Sequence, residues 1–292
     1  MTLTTFKELD WDIINVACVP QRSPFRYPGG KTWFVPYLRK WLRSSSNHIH
    51  EFIEPFAGGG IISLTVAFEK LADRVTMVEL DDQVASVWKT IFCEDGEWLA
   101  EEITKFDFNV QAIETVLAKT DLMMREKAFQ TILRNRINRG GILAPGAGRI
   151  KNGEKGKGIA SRWYPETLKK RILDIVRNKD SITFVEGDGL HILRQSSYRT
   201  DAFFFIDPPY TAAGKKSGQR LYKCSQLNHE ELFRITSKLQ GKFLMTYDDS
   251  QEIRQLAHLY NFEVRNIAMK SSHHKKMNEL LIGRNLDWLT LF

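Results

Sequence analysis

FFFIDPPY, Phe203 to Tyr210, joins four apolar residues to one carboxylate, two prolines and a tyrosine. The run FFFI has strand length and no polar break, the pattern of a strand buried on both faces of a parallel sheet. Asp207 then falls at the strand's end. Neither proline donates to a sheet ladder or opens a regular helix easily, so Pro208 and Pro209 predict a stiff, extended turn that keeps Tyr210 near the carboxylate. An acid, a backbone carbonyl and an aromatic face are thereby gathered at a strand's carboxyl end, the edge where open α/β sheets bind ligands. The same eight residues also fit a capped strand before a proline turn. Other parts of the chain must supply the rest of a site.

Upstream, Phe25-Arg26-Tyr27-Pro28-Gly29-Gly30-Lys31 is a turn-rich loop before a helical pattern, in which Trp33, Phe34, Tyr37, Leu38 and Trp41 recur at helical spacing with Pro36 in the first turns. Two glycines and a lysine at a helix start suit an anionic group, and also an ordinary glycine turn. HEFIEP (50–55) reads as a strand running into Phe56-Ala57-Gly58-Gly59-Gly60 and then an apolar helix. Glycines there let backbone approach a ligand closely. The next strand, Arg74 to Val78, ends at Glu79, and an acid at the end of a second strand is placed to hold ribose hydroxyls. Asp81 or Asp82 is the expected cap of the following helix.

From Asp95 to about Asn178 helical patterns follow one another, with a Gly-rich basic loop, NRGGILAPGAGRIKNGEKGKGIASRW, among them. Residues 121–180 hold 15 Lys and Arg against 6 Asp and Glu, a net of +9, whereas the whole chain is +7. The positive charge is therefore concentrated in one inserted region, which points to a nucleic-acid contact rather than a generally basic surface. Arg134, Arg136, Arg139, Arg149, Lys151, Lys155, Lys157 and Arg162 are the candidate DNA-binding residues, able to neutralise phosphates or set guanidinium forks against base edges. Strand and helix alternate again from Ile182, with Gly187-Asp188-Gly189 after the third strand. The tract TAAGKKSGQRLYKCSQ after Tyr210 is a candidate lid over a substrate. His273 and His274 read as a solvated loop beside lysines, not as metal ligands.

A chain of this length holds one large domain, or a core domain carrying a smaller one. Cys18, Cys93 and Cys224 lack metal-ligand spacing, so neither a disulfide framework nor a zinc site is expected. With no apolar stretch of bilayer-spanning length and no basic-then-apolar leader, the expectation is a soluble, cytoplasmic protein.

Taken together, YPGGK (27–31), PFAGGG (55–60), Glu79, Gly187-Asp188 and DPPY (207–210) resemble, in that order, the Dam-like (D12) class of DNA adenine-N6 methyltransferases. Asn135-Arg136 and Ser161-Arg162-Trp163 also look like features of that family's inserted domain. Glu79 stands where many relatives carry Asp, and the longer acid still reaches a ribose. The resemblance implies an α/β, Rossmann-like, seven-stranded and mostly parallel sheet. Residues 1–94 and 179–292 would form the catalytic domain, and 95–178 a mainly helical target recognition domain. It implies S-adenosylmethionine as cofactor, held by Tyr27, Gly30, Lys31, Phe56, Gly58, Gly60, Glu79 at the ribose, Asp188 at the adenine, and Asp207. Asp207, Pro208, Pro209 and Tyr210 would be the catalytic set, with no metal. Tyr210 would stack on an adenine extruded from duplex DNA, while Asp207 and the Pro208 carbonyl accept its amine hydrogens. A cognate restriction endonuclease is a candidate partner, a monomer or weak dimer the expected state, and a bacterial cytoplasm, nucleoid or phage-infected host the expected location. The alternatives are the same chemistry on a cytosine amine or on RNA, and a non-catalytic DNA-binding regulator.

Overall fold

The computed structural model describes residues 18–210, 227–270 and 276–290, without the side chains of 268–270 and 276–278. The proposed lid at 211–226, His273, His274 and Cys224 lie outside the described residues. Seven strands form one sheet: β1 (Glu51–Glu54), β2 (Arg74–Glu79), β3 (Ile182–Glu186), β4 (Ala202–Ile206), β5 (Lys242–Asp248), β6 (Glu263–Lys270) and β7 (Lys276–Gly283). Their order is β3-β2-β1-β4-β5-β7-β6. The first five pair in parallel, and β7 inserts antiparallel between β5 and β6. The fold is the expected Rossmann-like, mostly parallel α/β sheet.

Alternation along β4 explains why FFFI is apolar throughout. Successive strand residues point to opposite faces, so Phe203 and Phe205 enter one core while Phe204 and Ile206 enter the other. Both faces are roofed by helices. α1 (Val35–Arg43), α2 (Ile61–Phe68) and α3 (Asp82–Phe92) cover the first. α8 (Gly189–Gln195), α9 (His229–Thr236) and α10 (Gln251–Leu259) cover the second. Pro36 sits in the first turn of α1, where its missing N–H removes no helical bond. Asp81 is the cap of α3, its side chain accepting from the Gln83 N–H.

The segment between β2 and β3 continues past α3 through α4 (Gly96–Lys105), α5 (Val110–Ala118), α6 (Met124–Ile137) and α7 (Pro165–Arg177). It is helical, as its periodicity predicts, but it does not bury a large core of its own. Leu99 and Ile103 of α4, Ile132 of α6 and Ile172 of α7 belong to the same apolar cluster as Phe52, Met77 and Trp88. Among the described residues a small satellite, Ile113, Leu133 and Ile137 with Phe108 against it, is private to the insertion. No helix among the described residues is long and apolar enough to cross a membrane. Cys18 and Cys93 are free and exposed.

A polar pin joins the insertion to the loop before α1. Asn135, fully buried on α6, accepts from the Arg26 N–H (2.9 Å) and donates to the carbonyls of Arg26 (2.9 Å) and Gly141 (2.7 Å). Gly141 is required at this contact: at φ +75° a Cβ would lie 1.9 Å from the Arg26 carbonyl oxygen. Arg136 corrects an expectation. It is buried, 4% exposed, and its guanidinium donates inward to the Pro24 carbonyl. Burial, then the neighbouring Arg171 and Arg26, push its pKa down to about 9. Packing against the 23–27 loop removes it from the solvent-facing basic set.

Replacing Asn135 with alanine removes the side-chain partner of two carbonyls and an N–H. An Asn135→Ala variant is expected to lose about 3 kcal/mol of stability in urea unfolding, since unsatisfied buried groups cost about 1–3 kcal/mol each.

Candidate active site

The strand order reverses between β1 and β4. From β1 the chain steps outward through β2 and β3, then returns to the other side of β1 as β4. Connections on the two sides diverge there and open a crevice at the carboxyl ends of the strands. A cavity of about 420 Å³ occupies it. Tyr27, Gly30, Lys31, Phe56, Gly58, Gly60, Glu79, Asp188, Asp207, Pro208 and Pro209 all line this cavity. Residues as far apart as Tyr27 and Pro209, 182 positions, are thus brought to one edge by parallel strand pairing.

The glycine turn after β1 forms its floor. At Gly58, with φ +48°, a Cβ would lie 2.5 Å from the Tyr27 ring, so any side chain there collides with the wall opposite. The Gly58 N–H donates to Glu79 Oε2 (2.9 Å), and the Asp81 N–H to Oε1 (2.8 Å). The Trp88 indole donates to the Gly58 carbonyl at 2.9 Å. These bonds tie the ends of β1 and β2 together and fix the Glu79 carboxyl in the wall. Burial, the largest effect, pushes its pKa up to about 7.

At the β4 end the Asp207 carboxylate is clamped on both oxygens. Oδ1 accepts from Tyr210 Oη and from Thr246 Oγ1, each at 2.7 Å, and Oδ2 lies 3.0 Å from Lys31 Nζ. Glu279 on β7 completes a ring around them. Its Oε2 accepts from Tyr210 Oη at 3.2 Å and lies 3.6 Å from Lys31 Nζ. Burial raises the Glu279 pKa to about 7, against the pull of Lys31. Of the four DPPY residues, Tyr210 alone does not line the cavity. Its ring stacks on Tyr247 with centroids 5.8 Å apart, and Lys31 Nζ lies 4.9 Å from its centroid. In this conformation the hydroxyl is engaged between the Asp207 and Glu279 carboxyls.

Three site residues escaped the sequence reading: Glu54, Thr246 and Glu279. Glu54 ends β1, lines the cavity, and accepts from Ser63 N–H (2.9 Å) and Oγ (2.5 Å) through one oxygen. Its pKa rises to about 8, through burial first, with Asp207 and Glu79 adding to the rise. Glu54 and Glu279 did leave a signal, an acid directly beside apolar strand residues (FIE, 52–54, and ELLIG, 279–283). Thr246 left none, since β strands commonly carry threonine.

The remaining basic candidates lie apart from the cavity. Arg139, Arg149, Lys151, Lys155 and Lys157 are exposed on the loop after α6. Arg149 pairs with Glu114, and Arg162, half-buried, pairs with Glu154. Arg134 donates to Gln83 Oε1 at 3.2 Å, toward α3.

S-adenosylmethionine fits this donor set. Glu54, Glu79, Asp81, Asp188 and Asp207 make the wall acid-rich, with Lys31 and Arg26 as counter-charges, which suits a ligand carrying a sulfonium and an ammonium. Phe56 and the half-exposed Leu80 supply apolar surface for a purine.

Because the folded pKa of Glu54 lies above its ordinary 4.5, the native state holds a proton that the unfolded state has lost between those values. Stability from this group is full below about pH 4.5 and is lost as pH rises toward about 8, with a slope of at most about 1.4 kcal/mol per pH unit. Glu54→Gln, which keeps the acceptor for Ser63, is expected to unfold with a flatter pH dependence and to exceed the wild type in stability at pH 8. Chemical denaturation at pH 5 and pH 8 measures it.

No curated protein matches the sequence. Among solved structures the chain is similar to an rRNA methyltransferase, aviRa, from Streptomyces viridochromogenes (11% identity, 90% of this chain and 88% of that one, TM-score 0.39). It is also similar to a precorrin-6y C5,15-methyltransferase from Geobacter metallireducens (10% identity, 84% of each chain, TM-score 0.33). At these scores neither likeness bears on substrate. The family model for D12 class N6 adenine-specific DNA methyltransferases matches residues 27–270, from the Tyr27 loop through β6, and so spans the cavity, the glycine turn and the Asp207 motif. The chain belongs to the D12 class of S-adenosylmethionine-dependent, N6 adenine-specific DNA methyltransferases.

Proposed function

We propose that this protein methylates an adenine extruded from duplex DNA by direct transfer, with Asp207 as the acceptor that orients the target amine. The observation that carries the reading is the Asp207 carboxylate, held at the mouth of the glycine-floored cavity by Thr246 on one oxygen and Lys31 on the other. A carboxylate so fixed accepts an amine hydrogen without reorganising, and with the Pro208 carbonyl it draws the nitrogen lone pair out of conjugation with the ring. S-adenosylmethionine, when bound, supplies an electrophilic methyl group on sulfur. Glu79 accepts ribose hydroxyl hydrogens through its second lone pairs, and Asp188, whose Oδ1 caps α8 by accepting from the Leu190 N–H, has its other oxygen for an adenine amine. Tyr210 exchanges its bond to Asp207 for a stack on the base, so the incoming amine takes the place of its hydroxyl. Extrusion costs a few kcal/mol of stacking and pairing, which contacts to the flanking backbone offset.

Those contacts belong to Arg139, Arg149, Lys151, Lys155 and Lys157 on the exposed loop, with Arg134 and Arg162 at its margins. Residues 95–178 serve as the target-recognition part although they share the main core. We read the protein as cytoplasmic, acting as a monomer or weak dimer, with a cognate endonuclease as candidate partner. Light scattering on the purified chain tests the oligomeric state.

Asp207→Asn, which keeps an oxygen for Tyr210 and Thr246, is expected to lower labelled-methyl transfer to duplex DNA by at least about 100-fold, the scale of losing one preorganised electrostatic contact, with urea unfolding checking that the variant is folded. Substantial residual transfer sinks the assignment. A Lys151→Ala, Lys155→Ala, Lys157→Ala variant should bind duplex DNA with a log K against log salt slope shallower by about 2.7, three phosphate contacts at about 0.9 each. An unchanged slope removes these lysines from the interface.

A further inference from the structure

At the amino-terminal edge of the sheet, opposite the cofactor cavity, two histidines and an aspartate converge. His48, Ile49 and His50 lead into β1 in an extended run, so alternate side chains share a side. Ile49 is buried at 5% exposure and anchors the run, which turns both imidazoles outward. Asp73 immediately precedes β2, the neighbouring strand. Its backbone N–H donates to the Ile49 carbonyl (3.1 Å), and the Arg74 N–H to that of His50 (3.1 Å). Those bonds hold the three Cα positions in one rigid patch. Asp73 Oδ2 lies 2.8 Å from His48 Nε2 and 3.1 Å from His50 Nδ1, and the three potential ligand atoms all fall within 4.8 Å of one another.

We propose that His48, His50 and Asp73 form a surface site for a single divalent ion of the zinc, nickel or copper class. Two imidazoles and a carboxylate are the donor set these borderline ions prefer, whereas magnesium and calcium favour all-oxygen shells. A tetrahedral ion about 2.0–2.1 Å from each ligand sets donors roughly 3.3 Å apart. The two histidine–aspartate distances need to widen by only a few tenths of an ångström, and side chains 49–66% exposed can make that adjustment. Water takes the fourth position. The ion would replace the hydrogen bonds from histidine to aspartate with three coordinate bonds, tying the segment after α1 to the residue that leads into β2. It would stabilise the sheet edge without touching methyl transfer, because none of the three residues lines the cavity.

The test is calorimetric titration of zinc chloride into the metal-stripped full chain, its His48→Gln, His50→Gln double variant, and a Cys18→Ser, Cys93→Ser, Cys224→Ser control that removes every thiol. Wild type and thiol control are expected to bind one zinc per chain. Removing both histidines should weaken binding by more than roughly 100-fold, the upper range for losing even the outer partners of metal ligands. Methyl transfer by the double variant should equal wild type. Copper bound to the wild type should show two imidazole nitrogens by electron paramagnetic resonance, a signature that simple surface hydrogen bonds do not produce. At a hundredfold excess of zinc over its Kd the melting temperature should rise by roughly 5 °C, reversed by chelator. No saturable binding, equal affinity in the double variant, loss of binding in the thiol control, or one zinc per two chains each overturns the site as stated.

Discussion

The ion pair between Lys31 and Asp207 joins the loop before α1 to the end of the central strand β4. Lys31 is 3% exposed, and a buried ammonium without a partner is costly enough to lose its proton or unfold its surroundings. Asp207 supplies that partner and Glu279 a second, weaker one. Because the lysine must sit between them, Tyr27 and its turn are drawn over the glycine floor, and the cavity acquires its wall. Satisfying one buried charge thus shapes the pocket as well as the acceptor.

The same cluster shows how buried carboxyls are poised. Glu54, Glu79 and Glu279 all have raised pKa values because burial disfavours their charged forms. Asp207 differs in its contacts: two hydroxyl donors and an ammonium converge on it. Glu79 takes backbone N–H donors on its two oxygens, whereas Asp207 takes hydroxyls on one and an ammonium on the other.

The insertion reaches the cavity through Arg171, which lines it, and through a grip on the loop ahead of Tyr27. Asn135 and Arg136 on α6, with Arg171 of α7 donating to the Ser23 carbonyl, grip residues 23–26 just ahead of Tyr27. The basic loop leaves directly from the end of α6 and is tied back by the bonds from Arg139 N–H to Gly148 and Ile150 N–H to Ile137. One helix therefore carries the candidate DNA-contacting loop at its end and the pin on the cofactor loop along its side.

Much of this was legible in the chain alone. FFFI had to be a doubly buried strand because no other element hides four consecutive bulky apolar side chains at that length. Glycine turns and acids at successive strand ends announced a ligand edge, and charge counting located the basic insertion. Periodicity reports local geometry, so it found the helices of 95–178 but not their sharing of the main core. Arg136 looked like its basic neighbours because charge is visible in sequence while burial is not. Glu279, Thr246 and the inward turn of Tyr210 required β7 to be threaded antiparallel beside β5, and the His48, His50 and Asp73 cluster required β1 to lie against β2. Such meetings depend on strand pairing between distant segments, which only the folded sheet decides.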